Sequence, residues 1–375
     1  MNTVCTRTAH SRGRLDVCLS QSRHIYNEML ERERSHYAQT GKFLSKYDLT
    51  ALFAGRGGAS VPASTIQCLA DRLQKAVKAF LAHRDEDWGF PRFKSGNQWH
   101  SIQLRQLGID FTPTGRLLKV PAKLGGTIKI KMHRSMSGTP KTCYLVKRAN
   151  GHWYALIVCE LPQITSDLSH PDDTRGAVGI DVGLKVFLAD SDGGTVENPR
   201  FFRTSQATLR RKQRRLCARK KGSQRRRKMA RSTAQTHLKI ARQRRDFHFK
   251  TAKRYVDAYS TIVGEALNLR GLVRSRLAKS ILDAAWGAFL VILSYKAASA
   301  GGQVIRISPR YTTQTCSKCG ERVEKSLSVR THICPHCGYV ADRDLNTAQN
   351  ILKAGAAPSG TLADGPAGEP RSPIL

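Results

Sequence analysis

Four cysteines in two CxxC pairs, Cys316-Ser-Lys-Cys319 and Cys334-Pro-His-Cys337, constrain this chain more than any other feature. A glycine follows each pair, Gly320 and Gly338, and lets the backbone close a tight knuckle. Two facing knuckles bring four thiolates into a tetrahedral cage for one Zn²⁺, the pattern of a zinc ribbon. Four sulfurs leave no open coordination position, so this metal is expected to hold structure and do no chemistry. The alternative of two disulfides requires an oxidising compartment. No apolar segment follows Met1 in the manner of a secretory leader. Cys5, Cys18, Cys68, Cys143, Cys159 and Cys217 show no pairing pattern and read as reduced side chains of a cytoplasmic, nucleoid-associated protein. His332 and His336 read as knuckle or nucleic-acid-facing residues rather than ligands.

The ribbon sits in a very basic chain. Lys and Arg number 63 against 28 Asp and Glu over 375 residues, a formal net charge of +35. Such an excess predicts a polyanion held along an extended surface, with nucleic acid ahead of an acidic membrane. No apolar run is expected to reach spanning length. Residues 203–250 carry 19 Lys or Arg and a single acid, Asp246. They read as a basic helical hairpin broken at Gly222-Ser223, and as a solvated charge run on the blander reading. Leu209, Leu216, Leu238 and Ile240 offer so little apolar face that nucleic-acid contact is expected to order it.

Apolar periodicity predicts helices over 16–40 and 64–83, with Ala54-Gly-Arg-Gly-Gly58 as a connector. From Trp88 the period falls to two, and Trp88-Gly-Phe-Pro-Arg-Phe-Lys94 mixes aromatic rings with cations. Strands over 117–120, 127–132, 142–147 and 153–160, turned at Gly125-Gly126 and Asn150-Gly151, make a small antiparallel sheet or barrel. After a polar linker over 162–174, two strands are expected within 177–189, then strands over 259–265 and 303–307. Helices are expected over 280–300 and after the ribbon.

Three acids stand at element ends: Asp181, Glu265 and Asp344. A carboxylate beside an apolar strand is costly unless a cation neutralises it. Grouped carboxylates bind paired Mg²⁺ ions about 4 Å apart, as in phosphodiester hydrolysis. Each acid also has a structural reading. Asp181 could shape a turn with Gly183, Glu265 could pair with an arginine, and Asp342 and Asp344 could cap a helix.

Gly179-Ile-Asp-Val-Gly183, Gly264-Glu-Ala-Leu-Asn-Leu-Arg-Gly271, the two Cys motifs and Asp342-Arg-Asp-Leu-Asn346 follow one another in order. In this the chain resembles the TnpB (OrfB) proteins of bacterial and archaeal insertion sequences, relatives of the compact type V CRISPR effectors. Tyr26-Asn27 and Phe90-Pro-Arg-Phe-Lys94 extend the likeness to about Ala354. The resemblance implies an α/β RNase H-like (RuvC) nuclease domain over 175–310 with the ribbon inserted over 311–340. A last helix over 341–354 and a disordered tail over 355–375 follow. It implies a wedge β-barrel from 1–15 and 87–170, around a helical recognition region over 16–86. It also implies Asp181, Glu265 and Asp344 as the Mg²⁺ ligands, Cys316, Cys319, Cys334 and Cys337 as the Zn²⁺ ligands, and a transposon-derived guide RNA and double-stranded DNA as partners of a monomer. Arg210, Arg211, Arg214, Arg215, Arg225, Arg226 and Arg227 are then the candidate phosphate contacts, with Trp88, Phe90, Arg92 and Lys94 toward the guide. The function implied is RNA-guided DNA cleavage beside a short flanking motif. The rivals are a nuclease-inactive RNA-guided regulator and an unguided zinc-ribbon accessory protein of transposition.

Overall fold

The computed structural model describes residues 2–5, 9–83, 88–132, 136, 138–160, 175–326 and 329–356. The linker over 162–174 and the tail beyond Ala356 lie outside the described residues. The chain divides into two units, Met1–Ile164 and Thr165–Leu375.

In the first unit, β1 (Asn2–Cys5) precedes helices α1 (Ala9–Thr40), α2 (Lys46–Leu52) and α3 (Ala63–Ala82). Helix α1 buries Leu15, Cys18, Ser22, Ile25, Tyr26, Met29, Leu30 and Glu33, a stripe at three- and four-residue spacing. The short α2 had escaped the periodicity. Its signal is a capping box, in which Ser45 and Asp48 bond each other's backbone N–H. Strands β2 (Ser101–Leu104), β3 (Thr112–Thr114), β4 (Leu117–Lys119), β5 (Thr127–Lys131), β6 (Thr139–Lys147) and β7 (Trp153–Glu160) complete a sheet of order β2-β6-β7-β1-β5-β4-β3. The N-terminal strand thus lies inside the sheet, antiparallel to both β7 and β5. Among the described residues, no pairing joins the edge strands β2 and β3. Residues 88–94, expected to begin the two-residue period, form no strand. They are pinned instead by α1, where Asn27 exchanges two hydrogen bonds with the Lys94 backbone and Arg34 donates to the Pro91 carbonyl.

The second unit contains β8 (Ala177–Val182), β9 (Val186–Asp190), β10 (Thr195–Glu197), α4 (Phe201–Cys217), α5 (Gln224–Ala258), β11 (Thr261–Glu265), α6 (Leu269–Leu272), α7 (Ala278–Ala284), α8 (Trp286–Ser299), β12 (Gln303–Ile307), β13 (Thr331–Ile333), β14 (Val340–Asp342) and α9 (Arg343–Ala356). Its main sheet has the order β10-β9-β8-β11-β12. β8 runs parallel to β11, β11 parallel to β12, and β9 antiparallel to β8. Strand alternation divides the side chains between two faces. Val178, Ile180 and Ile262 join Tyr255 of α5 and Phe289, Leu290 and Leu293 of α8. Val263 and Ile307 pack with Ile351 of α9.

The helix expected over 280–300 is two helices. By composition 278–299 is apolar and long enough to cross a membrane, contrary to the expectation that no such run exists. The chain breaks at Ala285, which adopts φ 52°, and α8 buries Trp286, Phe289, Leu290, Leu293 and Ala297 in the core. The break frees the Ala284 carbonyl, which accepts a hydrogen bond from Nε2 of buried His248 at 2.9 Å.

Candidate active site and metal centre

The two knuckles are built alike. The Cys316 N–H donates to the Glu321 carbonyl and the Cys334 N–H to that of Tyr339, while the N–H groups of Gly320 and Gly338 return to Cys316 and Cys334. Both glycines take positive φ, 84° and 69°, which explains the residue type that follows each pair. The four Sγ atoms lie within 4.8 Å of one another. Cys316 to Cys337 is 3.7 Å and Cys319 to Cys334 is 3.6 Å. A tetrahedral ZnS₄ cage with bonds of about 2.3 Å requires sulfurs about 3.8 Å apart, so the cluster fits zinc. Burial pushes the Cys334 thiol up, but the N–H groups of Cys337 and His336 and the neighbouring thiols outweigh it and bring it down to about 7. His332 does not face nucleic acid. It is fully buried, with Nδ1 against the Lys325 ammonium, and its ring helps to lower the Cys316 thiol against the effect of burial. His336 is exposed.

Asp181 and Glu265 come together through strand register. Gly264 lies opposite Ile180 in the parallel pair, so the next residues on each strand sit side by side at the strand spacing of about 4.8 Å. Both belong to the face covered by α9. That helix approaches closely because Gly179 has no side chain; a Cβ there would overlap the backbone of Ala348 and Leu352. Asp344 occupies the first turn of α9. Asp181 is pushed up to about 7, by burial first and then by the charges of Glu265 and Asp344, with Arg343 opposing. Burial also raises Glu265, and a hydrogen bond from Thr312 opposes it. Among the described residues neither Asp181 nor Glu265 forms an ion pair.

Asp344 is held differently. Its Oδ1 accepts from Arg343 at 2.9 and 3.1 Å, and Arg330 lies 3.6 Å from Oδ2. Asp342 caps the helix by accepting the Asp344 N–H at 2.8 Å, so the structural reading holds for Asp342. Among the described residues only the four cysteines form a tight ligand cluster, and the carboxylates do not. The donor set still fits a hard divalent cation: three carboxylates, one of them destabilised by the other two. Thr312, Arg330 and Arg343 had escaped the sequence reading. Their side chains show no pattern of their own and matter only through the acids they touch.

The basic hairpin supports itself more than its composition suggested. Asp283 of α7 accepts the N–H groups of Phe202 and Arg203 at the start of α4 and pairs with Arg244 of α5. Lys212 bonds Thr236 at 2.7 Å across the helices. Arg210, Arg211, Arg214, Arg215, Arg225 and Arg227 are exposed. Arg226 instead bonds the carbonyls of Leu216 and Arg219, closing the turn. A groove of about 370 Å³ on this hairpin is lined by Lys212, Gln235, Thr236, Lys239, Arg242 and Gln243, none of them singled out from sequence. In the first unit half-buried Phe90 packs against the core beside Phe43 and Phe80, and Trp88 stacks on His83. Lys94 is half-buried, whereas Arg92 and its neighbour Phe93 are exposed.

Residues 157–276 match the family described as "Probable transposase" (OrfB_IS605), and residues 286–351 match the "Cas12f1-like, TNB domain" family. A Streptomyces pristinaespiralis protein named "Putative RNA-guided DNA endonuclease" is 31% identical over 350 residues, 89% of this chain and 84% of the relative. The chain belongs to the TnpB family. Another similar protein, "Putative RNA-guided DNA endonuclease InsQ" of Escherichia coli K12, is 29% identical over 89% of this chain and 87% of its own length. The fold of this TnpB chain is that of the Cas12f1 chain in a cryo-EM structure of a Cas12f1–sgRNA–target DNA complex. The TM-score is 0.60 at 15% identity, over 93% of this chain and 83% of that one.

Proposed function

We propose that this protein is an RNA-guided DNA endonuclease of an insertion sequence, with Asp181, Glu265 and Asp344 as the metal-binding acids of an RNase H-like (RuvC) domain. One observation carries the reading: adjacent parallel strands carry Asp181 and Glu265 at their C-terminal ends, on the face crossed by the helix with Asp344 in its first turn. The mixed sheet, with its second strand antiparallel and its first and fourth adjacent, supports the RNase H-like assignment. Bound Mg²⁺ would supply an activated water and stabilise the leaving oxygen of the phosphodiester. The chain's own part is placement. Asp181 and Glu265 are fixed by the sheet, and Asp344 completes the set by turning from Arg343 and Arg330. Those two guanidiniums are then free to meet the negative strand.

The exposed arginines of the hairpin hold the guide or the guide–target duplex by its phosphates, base pairing supplies sequence, and the protein reads only a flanking motif. The zinc ribbon is structural. The first unit supplies the wedge and recognition parts of such an effector, with Arg92 among its guide contacts.

The test is purification with any bound RNA, followed by sequencing of that RNA and incubation with Mg²⁺ and a plasmid library carrying randomised flanks. A discrete transposon-end RNA and cutting beside one motif are expected, with cutting lost in Asp181→Ala and Glu265→Ala. Cleavage that survives either substitution overturns the assignment of the acids, and copurification without a discrete RNA overturns the guided reading.

A further inference from the structure

We infer that Thr312 is a positioning residue for Glu265: its hydroxyl holds one carboxylate oxygen in place and leaves the other to a divalent cation. This rests on the nuclease reading above. Thr312 lies in the connection between β12 and the first zinc knuckle, and only 7% of it is exposed. Its Oγ1 is 2.5 Å from Glu265 Oε1 and 3.2 Å from the Pro309 carbonyl. A hydroxyl has a single proton to give. The short contact to the charged acceptor takes it. Glu265 is the last residue of β11, so the sheet fixes its backbone but leaves a long side chain with several rotatable bonds. Thr312 removes that freedom for Oε1 and leaves Oε2 as the oxygen open to a cation.

The threonine is itself fixed from α9. Asn350 Nδ2 donates to the carbonyls of Thr312 (2.9 Å) and Thr315 (2.6 Å). Asn346, one turn earlier and fully buried, donates to Thr315 at 2.8 Å and accepts the Ser317 N–H at 2.8 Å. The helix that presents Asp344 therefore also holds the loop that aims Glu265. Tyr311, immediately before Thr312, adopts φ 64°, the left-handed region that is strained for a residue with a β-carbon. Its ring lies against the guanidiniums of Arg310 (5.0 Å) and Arg322 (4.0 Å). The strained turn brings the hydroxyl to the acid.

The test measures Mn²⁺ binding by electron paramagnetic resonance, and the Mg²⁺ dependence of plasmid cleavage, on the full chain with its copurified RNA. Thr312→Val is expected to weaken Mn²⁺ binding about tenfold and raise the half-maximal Mg²⁺ concentration by a similar factor, while Thr312→Ser stays within about twofold of the parent. Melting temperatures of both variants close to the parent's are expected. Binding by Thr312→Val equal to the parent's, or a serine variant as impaired as the valine, overturns the proposal. If the parent and Asp181→Asn bind Mn²⁺ alike, the metal-site reading itself fails, an outcome separable from the first.

Discussion

At the scale of single residues, the proposed metal-binding role and stability oppose each other at Asp181. A carboxyl lifted to about 7 by burial and two like charges is costly to keep ionised in the metal-free fold. Asp181→Asn removes that charge with little change of shape. The metal-free variant should melt about 2–4 °C higher for each kcal/mol recovered, by calorimetry, while DNA cleavage is lost. A melting temperature below the parent's would show that the carboxylate is stabilising. The arginines of the hairpin divide by the same logic of contact. Arg226 bonds two carbonyls at the turn, whereas Arg225 and Arg227 are exposed. Arg226→Ala should cost about 1–2 kcal/mol in denaturant unfolding. Arg225→Ala with Arg227→Ala should leave stability unchanged and flatten the salt dependence of RNA binding by about one phosphate contact each.

At the scale of elements, the break between α7 and α8 creates a pH-sensitive joint. His248 caps the freed Ala284 carbonyl with Nε2–H. Burial, with the Arg244 charge adding, brings its imidazolium down to about 4, despite the opposing bond to Ala284. Between pH about 6.5 and 4 the unfolded chain binds a proton here that the folded chain does not. The stabilisation is complete above pH 6.5 and drains away as pH falls through 4. His248→Gln keeps a donor without the titration, so its melting temperature should change less between pH 7 and 5 than the parent's. Equal slopes would remove His248 from the acid response. The break itself was hidden from sequence because 284–293 runs on with an apolar helical pattern and Ala285 is a good helix former. Packing of α8 against the sheet and α5 offsets the αL conformation.

At the scale of the whole molecule, the zinc ribbon and the acid site share α9. Asn346 and Asn350 bind the loop that leads into the first knuckle, and Gln349 accepts from Ser317 beside Cys316. Removing zinc by chelation, or Cys334→Ser, should release that loop and with it Thr312. Zinc content should fall from one ion per chain, and Mn²⁺ binding should weaken with it. Retention of full Mn²⁺ affinity in zinc-free protein would show that the two centres are independent.

Much of this was legible in the chain. The spacing of Cys316, Cys319, Cys334 and Cys337 with their glycines defines two knuckles because local backbone geometry suffices to build them. Helices α1 and α3 and strands β5 to β7 followed from apolar periods, since burial of one face imposes those periods. Belonging to a family followed from the order of short motifs. What sequence left open were contacts between residues far apart in the chain. Whether Glu265 meets an arginine or a threonine, whether Phe90 faces solvent or the core, and where β1 inserts in its sheet depend on register and packing. A carboxylate's role comes from the groups placed around it, and only the tertiary structure places them.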